Sequence, residues 1–169
     1  MHLADALLHT TEEIRAGVHH TAEGLGAAAL AWRPDAEANS IAWLLWHLSR
    51  VQDAQVAHIA GRGQVWSPGW AERFGLPAGY DDSGYGHGPD DVARITPDRP
   101  EPLTAYQDEV AQFVGDCVAP LQPDDFDRVI DRSYDPPVTV GVRLLSLTAD
   151  ALQHLGQAGY VRGLWQRRR

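Results

Sequence analysis

The sequence predicts an all-α fold, a four-helix bundle with a long glycine-rich connection between its second and third helices. Three observations carry this reading. Four stretches place apolar residues at the three-to-four spacing of an amphipathic helix, and no sheet-forming repeat accompanies them. Residues 62–100, between the second and third stretches, hold seven glycines and five prolines. At 169 residues the chain has the length of one domain, residues 1–169, whose helices bury their stripes against one another.

The first helix is expected from residue 3 to about residue 30, with Leu3, Leu7, Leu8, Ile14, Val18 and Leu25 on its apolar stripe and Gly24 and Gly26 weakening its last turns. Pro34 disfavours helix at Arg33 and ends it. The second helix, NSIAWLLWHLSRVQDAQVAHIAG, is capped by Asn39 or Ser40 and closed by Gly61. Its stripe is Ile41, Leu44, Leu45, Leu48, Val51 and Ile59. The connection that follows carries Trp66, Trp70, Phe74, Tyr80 and Tyr85, and burial of these rings would offset the entropy of ordering it. Pro89 suits the first position of a short helical turn in PDDVARI. A third helix lies within residues 102–121, closed by Pro120 and Pro123, and FDRVIDRSY reads as a short extended segment. The last helix runs from about Thr139 to Trp165, with Leu144, Leu147, Ala151, Leu155, Ala158 and Trp165 on its apolar face.

Composition narrows the function classes. The formal net charge is −9, and the one dense basic run is Arg167 to Arg169, which suits a solvated tail at a helix C-terminus; a nucleic-acid partner is not expected. All fourteen basic residues are arginine, so no lysine amine is available for Schiff-base chemistry. The single cysteine, Cys117, sits in an apolar helical pattern and reads as a structural thiol. No signal peptide and no apolar run approaching the roughly 20 residues of a membrane span is visible, so a cytoplasmic protein without a membrane partner is expected.

The chemistry centres on DALQHLGQ, residues 150–157. On a helix, Asp150 and His154 share one face a turn apart. Both fall near an edge of the last helix's apolar stripe, and His47 falls at the edge of the second helix's stripe. In bundles, metal and cofactor sites are built from such side chains on facing helices. Two imidazoles and a carboxylate can bind a divalent ion, zinc first, with nickel or iron(II) as alternatives. By spacing alone, an i,i+4 ion pair and a hydrogen-bonded core-edge histidine account for the same residues.

NSIAWLLWHLSRVQDAQ together with DALQHLGQAGYVRG resembles the DinB superfamily of four-helix metal-binding proteins over nearly the whole chain, including WRP and GYGHGPDDVARI. The connector resembles that of an uncharacterised branch. The resemblance implies one metal ligand from the second helix, where Trp43 and His47 match a W-x-x-x-H context. It implies two more from the last helix, four residues apart before a Gly-Gln step, where Asp150 and His154 stand. Many relatives carry His where this chain has Asp150; the mycothiol-dependent maleylpyruvate isomerases carry a Glu there.

Other polar residues are candidates for supporting roles. His87, flanked by glycines, is a candidate proton shuttle or exchangeable ligand over the metal mouth, against the plainer reading of a surface-loop histidine. Gln157 is a candidate hydrogen-bond partner of His154, and Arg143, two turns before Asp150, a candidate for orienting Asp150 or binding an anionic substrate. His58 lies roughly 16 Å along the helix from His47, too far to share an ion. The resemblance implies a metal-dependent transferase or isomerase using a low-molecular-weight thiol of the mycothiol or bacillithiol type and a small-molecule substrate. A metal-dependent hydrolase and a non-catalytic metal- or ligand-binding bundle, as a homodimer, are the alternatives.

Overall fold

The computed structural model describes residues 2–66 and 69–168. Its four long helices are α1 (Leu3–Ala22), α3 (Ile41–Ala60), α6 (Glu101–Val118) and α7 (Val140–Arg167). Short helices α2 (Ala27–Ala31), α4 (Trp70–Arg73) and α5 (Pro89–Val92) lie in the connections. A 3₁₀ turn, Pro123–Asp127, precedes two short antiparallel strands, β1 (Val129–Asp131) and β2 (Val138–Thr139). The α1 helix packs on α6 and α7, and α3 packs on the same two, so the four close a ring in the order α1, α6, α3, α7. Ile14 and Val18 of α1, Leu44 and Leu48 of α3, and Leu103 and Val110 of α6 meet in the core. Among the described residues, no helix is long and apolar enough to cross a membrane.

The expected first helix, 3 to about 30, is in fact two. It stops at Ala22 because Gly24 takes φ +72°, a left-handed conformation that no α-helix contains. Gly26 then caps α2. The second helix starts where expected: the Ser40 hydroxyl accepts from Trp43 N at 3.1 Å, and Gly61 ends it. Thr139 caps α7 in the same way, its hydroxyl accepting from Val142 N at 3.3 Å. The extended segment expected in FDRVIDRSY is β1, and Pro89 opens α5.

The connection 62–100 departs most from a simple bundle picture. Residues 41–50 of α3 are buried on every side, not along one stripe. The connection folds over the outer face of α3, and a buried polar network fastens it there. Arg50 and Asp53 pair at 3.3 Å with side chains 1% and 0% exposed. Asp53 also accepts from the backbone N–H groups of Val65 and Trp66, both at 2.8 Å, and from the Tyr106 hydroxyl at 2.7 Å. Burial pushes the Tyr106 hydroxyl well above the usual phenol range, which keeps it a donor. Arg50 reaches the Gln64 amide oxygen at 2.8 Å, the Asp82 carbonyl at 3.1 Å and the Asp81 carboxylate at 3.3 Å. Both buried charged groups, Arg50 and Asp53, have several partners, the condition under which buried charge is tolerated. Trp66, Trp70 and Phe74 are buried as expected, whereas Tyr85 is 91% exposed. Tyr160 is likewise exposed, on the outer face of α7, so neither tyrosine is a core packing residue.

Candidate metal centre

The α3 and α7 helices run antiparallel. His47 faces Asp150 and His154 at one level, and Gln55 bonds Arg143 two turns further along. His47, Asp150 and His154 each offer one ligand atom, and the three atoms lie within 4.8 Å of one another. Ligands at zinc bond lengths of about 2.0–2.1 Å sit roughly 3.3 Å apart around a tetrahedral ion. Binding an ion would require the three side chains to close toward that spacing.

The His47 ring is fixed on two sides. It stacks on Trp43, one turn earlier in α3, with centroids 4.5 Å apart. Its Nδ1–H donates to the Ser83 carbonyl at 2.5 Å. A carbonyl can only accept, so this bond places the proton on Nδ1 and leaves the Nε2 lone pair free. Burial depresses the His47 pKa; the Ser83 carbonyl and Asp150 partly oppose that, and nearby His154 reinforces it. The neutral, ligand-competent ring is therefore the favoured form.

Gly84 permits this arrangement. Its φ is +94°, and a Cβ built there would stand 2.6 Å from His47 Nδ1 and 2.9 Å from Trp46 Cζ3. Only a residue without a side chain brings the backbone so close to the ring while holding that conformation. The Asp82 carboxylate accepts from Gly84 N at 2.9 Å, which tightens the turn and lowers the Asp82 pKa.

On α7, the His154 Nδ1–H donates to Gln157 Oε1 at 2.9 Å, and His154 Nε2 lies 3.5 Å from Asp150 Oδ1. Both histidines thus spend Nδ1 on an oxygen and turn Nε2 toward the cluster, the pattern by which outer partners orient metal ligands. The second carboxylate oxygen, Asp150 Oδ2, is buried and has no hydrogen-bond partner among the described residues. Buried oxygens are rarely left so. A cation among the three side chains would satisfy it, so the donor set fits a divalent ion.

His47 and Asp150 of the cluster line one end of a cavity of about 430 Å³ between α3 and α7. Val51, Ala54, Val138 and Leu147 line its walls, and Gln55 and Arg143 its far end. Tyr85 and Tyr134 stand at the mouth, both well exposed. Arg143 does not bond Asp150. Its guanidinium donates to Gln55 Oε1 at 2.7 Å and to Asp131 Oδ2 at 3.3 Å.

His87 is not brought over the cluster. Its Nδ1 accepts from Trp43 Nε1 at 3.0 Å, its Nε2 lies 3.3 Å from both the Tyr80 hydroxyl and Asp82 Oδ2, and its ring stacks on Trp46. Ser83 and Gly84 lie against the His47 ring, and the His87 ring lies against Trp43 and Trp46 instead. His19 pairs with Asp108 on the surface, and His58 is exposed at the far end of α3. Sequence reasoning missed Ser83, Gly84, Arg50 and Asp53. The signals were the glycine spacing in SGYGHG and two opposite charges, Arg50 and Asp53, within one apolar helix.

The profile of the DinB superfamily matches residues 10–158. A conserved protein from Enterococcus faecalis, known from its crystal structure, superposes with a TM-score of 0.87 at 27% sequence identity, over 96% of this chain and 96% of that one. No curated protein matches the chain. With the helical bundle and the His-Asp-His cluster on the α3–α7 seam, the match over residues 10–158 shows that the chain belongs to the DinB superfamily.

Proposed function

We propose that this protein is a metal-dependent transferase or isomerase that activates a low-molecular-weight thiol against an electrophile held in the α3–α7 cavity. One observation carries the reading: two histidines with Nδ1 already committed and one under-bonded carboxylate converge at the end of a cavity large enough for a small substrate. His47, Asp150 and His154 would hold the ion. A divalent ion there would supply a Lewis acid that lowers the pKa of a thiol meeting it.

The chain's own residues do the rest. Ser83 and Gln157 hold the two imidazoles in the ligating tautomer. Val51, Ala54 and Leu147 put apolar surface on the inner wall, against which the hydrocarbon part of a substrate would pack. Among the described residues lining the cavity, Asp150 is the only carboxylate, and it belongs to the ligand set. An ion that lowers the pKa of a thiol also lowers that of bound water, so dependence of turnover on the thiol is what separates the transferase reading from hydrolysis.

The test combines stoichiometry and turnover. Purified protein should take up one zinc or nickel ion per chain, and His47→Ala or His154→Ala should abolish uptake while leaving helical circular dichroism unchanged. Metal-loaded protein should consume an electrophile in the presence of mycothiol or bacillithiol. Uptake that survives both substitutions removes the site; uptake without thiol-dependent turnover leaves a binding protein.

A further inference from the structure

We infer that Arg143 is an anion anchor set at a fixed distance from the metal cluster, so that the cavity selects a thiol carrying a carboxylate or similar anionic group at its other end. This deepens the reading above and rests on it. Arg143 precedes Asp150 by seven residues on the straight α7 helix, which at the standard rise is about 10 Å. Between these two polar ends Val51, Ala54 and Leu147 give the cavity wall apolar surface, with the Ser146 hydroxyl among them. A ligand filling the cavity of a metal-loaded protein would meet a cation at one end, a partly apolar wall in the middle and a guanidinium at the other.

The guanidinium is held ready for a ligand. Gln55 Oε1 accepts at 2.7 Å from one terminal nitrogen, and Asp131 Oδ2 at 3.3 Å from the other. Asp131 is itself held by Ser133, whose N–H and hydroxyl donate to Oδ1 at 2.9 and 2.6 Å. Those bonds keep Asp131 ionised and fix the plane of the Arg143 fork. Among the described residues two of the five N–H donors are used, one of them in an ion pair with Asp131, which leaves three for an incoming anion. Tyr134, on the segment between β1 and β2, stands 60% exposed over the same end of the cavity.

The experiment is a chain-length series by isothermal titration into zinc-loaded protein. The probes are 3-mercaptopropionate and 8-mercaptooctanoate, each against its neutral analogue, 3-mercaptopropanol and 8-mercaptooctanol. With the ion and the guanidinium a helix spacing of about 10 Å apart, the zinc–sulfur bond of about 2.3 Å and roughly 4 Å between carboxylate and guanidinium carbons leave about 4 Å from sulfur to carboxylate carbon, the extended length of 3-mercaptopropionate. The short acid should bind on the order of tenfold tighter than the short alcohol, the value of a charge-assisted hydrogen bond. The long pair, which overshoots the span, should show no such preference. Arg143→Gln should erase the short acid's advantage while leaving zinc uptake and the alcohol's affinity unchanged. Equal binding of the short acid and alcohol to the unsubstituted protein overturns the anchor, as does a preference that survives Arg143→Gln; zinc uptake stays intact in both cases. Failure of zinc uptake itself overturns the metal reading and the anchor with it.

Discussion

Substituting Gly84 by alanine tests whether the connection between α3 and α6 holds the metal ligand His47. Two costs arise at this position. The backbone sits at φ +94°, and forcing a Cβ into a left-handed conformation costs about 1–2 kcal/mol. The new methyl would also stand 2.6 Å from His47 Nδ1, 2.9 Å from Trp46 Cζ3 and 3.2 Å from Trp43 Cζ2. Relieving such overpacking costs about 1–3 kcal/mol more. Both tryptophans are buried, so the segment Ser83–Gly84 gives way outward more easily than α3 gives way inward. That movement breaks the bond from His47 Nδ1 to the Ser83 carbonyl, and loss of such a partner lowers metal affinity by roughly 10–100-fold. Gly86→Ala is the matched control: its φ is +76°, and an added Cβ there meets nothing within 4 Å. It carries the backbone cost without the contact. Zinc affinity measured by competition with a chromophoric chelator should fall in Gly84→Ala and stay within a few-fold of the unsubstituted protein in Gly86→Ala. Equal affinities in all three proteins would refute the idea that the connection positions His47.

The other expectations follow from single contacts. Arg50→Met should lower the unfolding free energy in urea by about 3 kcal/mol, the low end for breaking a buried pair, because Asp53 keeps three other donors; a loss below about 1 kcal/mol would mean the network does not fasten the connection. Gln157→Leu should weaken zinc binding about tenfold by removing the acceptor of His154 Nδ1–H, and Gln157→Glu should restore it; identical affinity in Gln157→Leu would show that Gln157 plays no part. Partial burial pushes the Cys117 thiol up, so less of it is thiolate at any pH below its pKa, and iodoacetamide should alkylate it at pH 8 more slowly than a free cysteine derivative, with or without zinc. A rate equal to that of the free thiol would contradict the raised pKa.

What could be read from the sequence is what repeats along a helix. The stripe of Leu44, Leu45 and Leu48, the Ser40 cap and the Asp150–His154 spacing are local and periodic, so a wheel projection recovers them. The pairing of His47 with Ser83 spans 36 residues and joins a helix to a turn, and no periodicity encodes it. For the same reason no helical pattern marks Arg50 and Asp53 as a buried pair, though the connection covers them. The break at Gly24 was visible as a weakness, but whether glycine bends a helix or ends it depends on the φ it adopts in the fold. Tyr85 shows the converse limit. An aromatic ring in a glycine-rich loop satisfies every composition argument for burial, yet it stands at a cavity mouth, where exposure has a use.

The two sides of the candidate centre are built to different tolerances. His47 is 7% exposed, stacked on Trp43, hydrogen-bonded through Nδ1 and pressed by Gly84, so its Nε2 has little freedom. Asp150 and His154 lie on the open edge of α7, their side chains 42% and 17% exposed, and Gln157 beside them is exposed. A centre with one rigid ligand and two adjustable ones fixes where an ion would sit from the α3 side and leaves the α7 side to follow the ligand. Asp150 suits the adjustable side. Its carboxylate is short and close to the helix, which leaves the space beyond it to the cavity that runs toward Arg143. A longer Glu side chain at the same position would reach into that space. The identity of residue 150 therefore bears on how much room the substrate has as well as on the charge of the site, and the connection that locks His47 is what allows α7 to carry both tasks.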